Sequence, residues 1–317
     1  MLRTALTEML ALDVPVVGAP MAGVAGGRLA AAVSAAGGLG MIGVGSSMAP
    51  AAIAAQAGRA GEAGARFGIG LMAWALDRCP DQFEAAVAAG PALVSVSFGD
   101  YAPWVARLHQ AGITAATQVG DVEAARVAAG HGVDLIVARG AEAGGHGRDT
   151  VATLPLLQGV LDAVDRPVLA AGGIGTPRGL AAVLAAGAAG AWLGTALLCA
   201  TEADTSPAAR ARARAARETD TIYTRVFDIA QGLAWPPDFG GRALQNDFTQ
   251  HWAGHEQALA SDSRAGQQLA AARSREDYGT AFLYAGQGVG LVTQDRPAGA
   301  ILADLVAGAE RLLSRWR

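Results

Sequence analysis

The sequence predicts an α/β fold: a (β/α)8 TIM barrel with an α-helical lid inserted after the eighth strand. Three observations lead there. Short apolar runs alternate eight times with Ala-rich helical stretches. The starts of those runs, from residue 14 to residue 189, average about 25 residues apart, the length of one βα unit. After residue 199 the alternation stops, and a segment richer in charge and aromatics runs to about residue 292. An open doubly wound sheet is the competing architecture, but it usually has fewer strands and carries its glycine fingerprint in the first βα turn.

The strand candidates are VPVVGAPM (14–21), LGMIGVG (39–45), RFGIGLMAW (66–74) and PALVSVSFG (91–99), followed by ITAATQVG (113–120), VDLIVARG (133–140), RPVLAAGGI (166–174) and AGAWLGTALL (189–198). Helices such as GRLAAAVSAAG, PDQFEAAVAAG, DVEAARVAAG and TPRGLAAVLAAGA lie between them, several ending in Gly, a C-cap signal. Asp121 and the Thr176-Pro177 pair read as helix starts. ARARARAARE (209–218) reads as an arginine-bearing helix with a solvated face. PAGAILADLVAGAERLLSRW (297–316) is amphipathic and completes the barrel. The expected domains are therefore residues 1–199 with 293–317 as the barrel, and 200–292 as a substrate-covering helical lid.

Composition narrows the function classes. The chain has 317 residues, 52% hydrophobic and 16% charged, enough to bury a large core. A net charge of −4 without a basic patch argues against nucleic acid. No apolar run approaches the roughly 18 residues of a membrane span. The start, MLRTALTEMLALDVP, lacks the marks of a signal peptide, so a cytoplasmic location is expected. All 24 basic residues are arginine, which removes lysine Schiff-base chemistry and a P-loop lysine.

GLGMIG (Gly38, Gly40, Gly43) matches G-x-G-x-x-G, yet it follows a helix and enters a strand, the reverse of a dinucleotide fingerprint. It reads as a helix cap and tight turn. AAGGIGTPRG (170–179) is better placed, at the C-terminal end of the seventh strand and before a helix start. Its glycines, with Gly194 and Thr195 after the eighth strand, suit a phosphate, because loops seven and eight of barrels often bind one. GAPMAG (18–23) ends the first strand, where Pro20 and Met21 could lie against a flat ring. Gln118 at the rim of the fifth strand could contact a phosphate or a ring, or make a plain rim hydrogen bond.

ARGAEAGGHGRD (138–149) carries the sharpest signal. His146 follows the sixth strand, on the face where barrel active sites form. Gly144, Gly145 and Gly147 let main chain approach a ligand, and an imidazole holds or moves protons near neutral pH. Glu142 is either an orienting partner or a member of an ion pair. His109 and His131 read as structural. His251 and His255 have i, i+4 spacing but lack the glutamate of H-E-x-x-H, so no metal is expected. Cys79 and Cys199 read as buried small hydrophobes.

GAPMAG, VSFGD, ARGAEAGGHGRD, LAAGGIGTPRG and WLGTALLCATEA, with VFDIAQGLAWP and AGQGVGLV later, occur in the order found in nitronate monooxygenases, formerly called 2-nitropropane dioxygenases. The chain resembles that family most closely over residues 14–200. The resemblance implies FMN at the barrel mouth, with its ring against Ala19, Pro20 and Met21 and a contact from Gln118. It puts the phosphate on Gly172, Gly173, Gly194 and Thr195. Gly144 and Gly145 would border the flavin, and Gln287 and Gly288 would close over it. His146 matches the family's catalytic histidine, binding the nitronate or taking a proton from a neutral nitroalkane. The implied reaction oxidises an alkyl nitronate with O2 to a carbonyl compound and nitrite.

The chain departs from the family pattern at Gly70, where many relatives carry Asn, and at Arg139 and Ala141, where Gln and Thr are common. GGIGTPRG also replaces the more usual GGIADGRG. Arg139 is expected to alter the flavin's electronics or the substrate preference, or to pair with an acid. Two alternatives stand beside the monooxygenase: an FMN-dependent NAD(P)H reductase acting on enoyl-ACP or quinones, and a barrel that binds flavin or a phosphate ligand without turnover. The expected partners are a small nitronate and O2, with a homodimer as the candidate assembly.

Overall fold

Eight parallel strands form one sheet that curls until its edges meet. They are β1 (Val16–Gly18), β2 (Gly40–Gly43), β3 (Phe67–Met72), β4 (Leu93–Ser97), β5 (Thr114–Val119), β6 (Leu135–Arg139), β8 (Val168–Ala171) and β9 (Gly190–Leu193). Every one falls inside a run read from the sequence. The order β1-β9-β8-β6-β5-β4-β3-β2 is closed by a parallel bridge from Val17 to Leu39, where Gly18 N donates to Leu39 O at 2.9 Å. The closed barrel therefore replaces the open-sheet competitor. The computed structural model describes residues 2–315; Trp316, the last residue of the expected closing helix, lies outside them.

Alternation along the strands sorts two cores. Val17, Met41, Val137 and Leu169 point into the barrel, with Trp192. Val16, Ile42, Ile136 and Val168 point outward against the helices. A short helix, Ala5–Leu10, plugs the N-terminal end of the barrel with Leu6 and Leu10, so the interior is packed rather than open there.

The helix starts are where the sequence put them. Asp121 accepts from Ala124 N at 2.7 Å and Thr176 from Gly179 N at 3.3 Å. The closing helix spans Ala298–Ser314 and packs Leu302 and Leu305 into the outer core. Gly38, Gly40 and Gly43 are close-approach glycines: a Cβ on Gly40 would overlap the main chain of Ala30, and one on Gly43 that of Met21 and Ala22.

The segment 200–292 carries helices at Pro207–Arg214, Val226–Ala230, Asp247–Trp252, Glu256–Ser261 and Ser263–Ser274. It also carries two strands, which corrects the expectation of helices and loops alone. β10 (Thr221–Thr224) pairs antiparallel with β11 (Gly240–Leu244), and β11 pairs with β7 (Gly145–Gly147) from the loop after β6. The strands satisfy main-chain groups of the glycine-rich loop that its own side chains cannot reach. Phe227, Phe248, Leu259 and Leu269 give this segment a small core of its own.

Candidate active site

β6 ends at Arg139, and the chain turns through 140–144 into β7, whose middle residue is His146. Gly241 of β11 stands opposite it. His146 Nε2 lies 2.9 Å and 3.0 Å from the two carboxylate oxygens of Asp228. Asp228 sits on the helix Val226–Ala230, and its side chain is 2% exposed. The Tyr284 hydroxyl donates to Asp228 Oδ1 at 3.2 Å. Desolvation, followed by the neighbouring Asp228 charge, holds that hydroxyl's pKa well above the usual tyrosine value. The Trp235 ring stacks on the imidazole, centroids 3.6 Å apart and planes 2° from parallel.

This arrangement fixes both the plane of the histidine and the tautomer of its neutral ring. A carboxylate only accepts, so in the neutral imidazole Nε2 carries the hydrogen and Nδ1 the lone pair. Nδ1 has no hydrogen-bond partner among the described residues. Trp74 and Phe98 meet Trp235 at 5.1 and 5.2 Å and extend the apolar wall. Phe98 has φ +68°, a strained position for a bulky residue, at the C-terminal end of β4.

A cavity of about 700 Å³ opens at this end of the barrel, within the size range of cofactor and substrate sites. It is lined by Ala19, Pro20, Met21, Gln118, Gly144, Gly145, His146, Gly172, Gly173, Gly194, Thr195 and Gly288. All twelve were singled out in the sequence from six separate stretches. Gln287, the thirteenth, is exposed and outside the lining; its main-chain N–H donates to Glu142 O at 2.9 Å. The turn holding it still closes on the glycines, since Gly286 N donates to Thr195 Oγ1 at 2.9 Å and Gly288 faces Gly173.

The glycine loops suit a phosphate. Gly172 and Gly173 have φ +112° and +68°, and a Cβ on Gly172 would be 2.5 Å from Thr153 Oγ1. Among the described residues none accepts from the main-chain N–H of Gly173 or Thr195. The helix Pro177–Ala185 begins just beyond, adding its dipole. Gly194 faces Ala19 and Met21, so the ends of β1 and β9 share one wall. The residues present therefore fit a flat ring carrying a phosphate arm.

Other expectations change. Glu142 neither orients His146 nor forms an ion pair: its carboxylate accepts from Thr153 N at 3.0 and 3.2 Å, capping the helix Thr153–Ala163. Among the described residues Arg139 pairs with no acid; it bonds main-chain carbonyls of the His146 loop. Gly70 leaves the space that Pro20 fills, because a Cβ there would overlap the proline ring. His251 ends one helix and His255 caps the next, so they do not share a helix face. His109 Nε2 pairs with Asp134 at 2.9 Å. Among the described residues no cluster of His, Cys, Asp and Glu could hold a metal, and no helix is long and apolar enough to cross a membrane.

Sequence reasoning gave no role to Asp228, Trp235 or Tyr284. A lone acid inside the apolar run VFDIA was the available signal, since acids are rarely buried without a partner.

Residues 80–308 match the model of the family described as nitronate monooxygenase. The chain belongs to that family. A nitroalkane oxidase from Streptomyces ansochromogenes superposes with a TM-score of 0.83 at 31% identity, covering 99% of this chain and 100% of that one. FabK from Thermotoga maritima superposes with a TM-score of 0.87 at 26% identity, covering 100% and 99%. The chain is also 36% identical over 227 residues to the (3aS,4S,5R,7aS)-5-hydroxy-7a-methyl-1-oxo-octahydro-1H-indene-4-carboxyl-CoA dehydrogenase of Rhodococcus jostii. That similarity covers 72% of this chain and 64% of the relative, so the chain spans less than two thirds of that relative's length.

Proposed function

We propose that this chain is an FMN-dependent oxidoreductase that oxidises alkyl nitronates with O2 to a carbonyl compound and nitrite. The observation carrying this reading is the His146–Asp228 pair, clamped by Trp235 and facing the same cavity as the two glycine loops. Gly172, Gly173, Gly194 and Thr195 would hold the phosphate of FMN. Ala19, Pro20, Met21, Gln118, Gly144 and Gly145 would border its ring, under the turn that carries Gln287 and Gly288. When bound, FMN supplies the redox chemistry.

The chain's own residues prepare the substrate. Asp228 holds the Nε2 hydrogen of His146 and keeps Nδ1 available. Nδ1 takes the α-proton of a neutral nitroalkane, giving the nitronate. In the protonated imidazole the same atom donates to a nitronate oxygen. Tyr284 keeps one Asp228 oxygen occupied, which limits how the carboxylate turns. The aromatic wall of Trp74, Phe98 and Trp235 gives the reacting end an apolar surface.

The test is O2 consumption and nitrite release by FMN-loaded protein given propyl-2-nitronate. Nitrite formed with turnover supports the reading; none, with FMN bound, rejects it. A second reading, an oxidoreductase fed by NAD(P)H, is favoured by the superposition on FabK. It requires rapid anaerobic reduction of the flavin by NAD(P)H.

A further inference from the structure

Arg139 closes β6 and is 3% exposed. Five main-chain carbonyls between 140 and 148 receive its guanidinium. Nη2 donates to Ala143 O and Gly145 O at 2.8 Å each and to Gly144 O at 3.3 Å. Nη1 donates to Arg148 O at 3.2 Å and Gly140 O at 3.5 Å. Among the described residues no carboxylate lies within 4.0 Å of it. Of the two acids near enough to act on it through space, Asp149 is held by Arg242 at 2.6 Å and Glu142 by the main-chain N–H of Thr153. Gly147 makes room for the group, since a Cβ there would be 2.5 Å from Cζ.

Burial lowers the Arg139 pKa to about 10, which leaves it protonated at neutral pH. Carbonyl dipoles solvate the cation but carry no net charge. A full positive charge therefore acts on the cavity that Arg139 lines together with Gly144, Gly145 and His146. In the low-dielectric surroundings of a buried group, such a charge acts over several ångströms.

We propose that Arg139 is a positioning residue that fixes the His146 strand and, through its unpaired charge, favours the reduced form of FMN over the oxidised form. This rests on the FMN reading above. Two electrons and one proton taken up by the neutral ring leave one negative charge on it. In turnover the substrate supplies the electrons; in the test dithionite does. The oxidised ring is neutral, so the cation acts mainly on the reduced state.

The experiment is the midpoint potential of bound FMN, by dye equilibration, in wild type, Arg139→Gln and Arg139→Lys. Arg139→Gln keeps two N–H donors and removes the charge. It is expected to bind FMN at full occupancy and to bind reduced FMN about tenfold more weakly relative to oxidised FMN, a drop of about 30 mV for a two-electron couple. Arg139→Lys covers the case in which the glutamine variant does not fold. A buried lysine loses its proton at a far lower pH than arginine, so this variant should match wild type at low pH and fall below it as pH rises. Potentials equal to wild type at every pH, in either folded variant, would overturn the proposal and leave the FMN reading intact. Wild-type protein that takes up no FMN would overturn both.

Discussion

The barrel mouth and the inserted segment contribute different chemistry to the same cavity. From the barrel loops come glycines, main-chain N–H groups and one helix start, around Gly172, Gly173, Gly194 and Thr195. From the insert come side chains: the buried carboxylate of Asp228 and the rings of Trp235 and Tyr284. His146 lies at the seam, on a barrel loop drawn into the insert's sheet through β11. A main-chain surface suits a ligand of fixed shape, whereas side chains on an insert can be exchanged without disturbing the barrel. On the proposed reading, cofactor binding falls mainly to the barrel loops, with the Gln287–Gly288 turn of the insert closing over them, and treatment of the substrate falls to the insert's side chains.

Substitutions in the two regions should separate cofactor content from rate. Gly173→Asp has the largest expected effect. It sets a β-carbon at φ +68°, 3.4 Å from Glu142 Cγ, and a negative charge where the phosphate would sit. The purified variant should carry no FMN by visible absorbance; normal flavin content would break the division at its base. His146→Ala should keep FMN and lose about 10²–10⁴-fold in kcat/KM on neutral nitroalkanes, with a smaller loss on preformed nitronates. Equal rates to wild type on both substrates would remove His146 from the reaction.

Asp228→Asn comes next. An amide in place of the carboxylate removes the charge that orients Nε2–H. About a 10²-fold loss on neutral nitroalkanes is expected, at the lower end of acid–base effects, with flavin content unchanged. Loss of flavin instead would show that the Asp228 helix holds the cofactor too. Trp235→Leu is the mildest. Losing one aromatic stack is worth about 0.5–1.5 kcal/mol, so KM should rise from about twofold to tenfold while the FMN spectrum stays the same. A change in kcat alone would mean that Trp235 acts on the reacting atoms rather than on placement.

The barrel half of this contrast was the legible half. Parallel strands buried on both faces are continuous apolar runs, and each such run here became a strand. The glycine loops were legible because a left-handed turn before a helix start leaves its mark locally, as at Gly172, Gly173 and Thr176. β7 was not legible: Gly-His-Gly has no strand preference and is extended only because β11, almost a hundred residues later, pairs with it. Asp228 lies 82 residues from His146, and the contact is made by the fold of the insert rather than by spacing. Glu142 was the local candidate for that role, and it was drawn instead to the free N–H of Thr153 at a helix start. Arg139 could be counted as a charge, but the carbonyls that surround it belong to a loop shape no local pattern encodes.

The most direct test is an anaerobic visible spectrum of the purified protein, titrated in parallel with propyl-2-nitronate and with NADH. Oxidation of nitronates through bound FMN requires oxidised FMN bands that the nitronate bleaches and NADH barely changes. Rapid bleaching by NADH, with the nitronate inert, would contradict it.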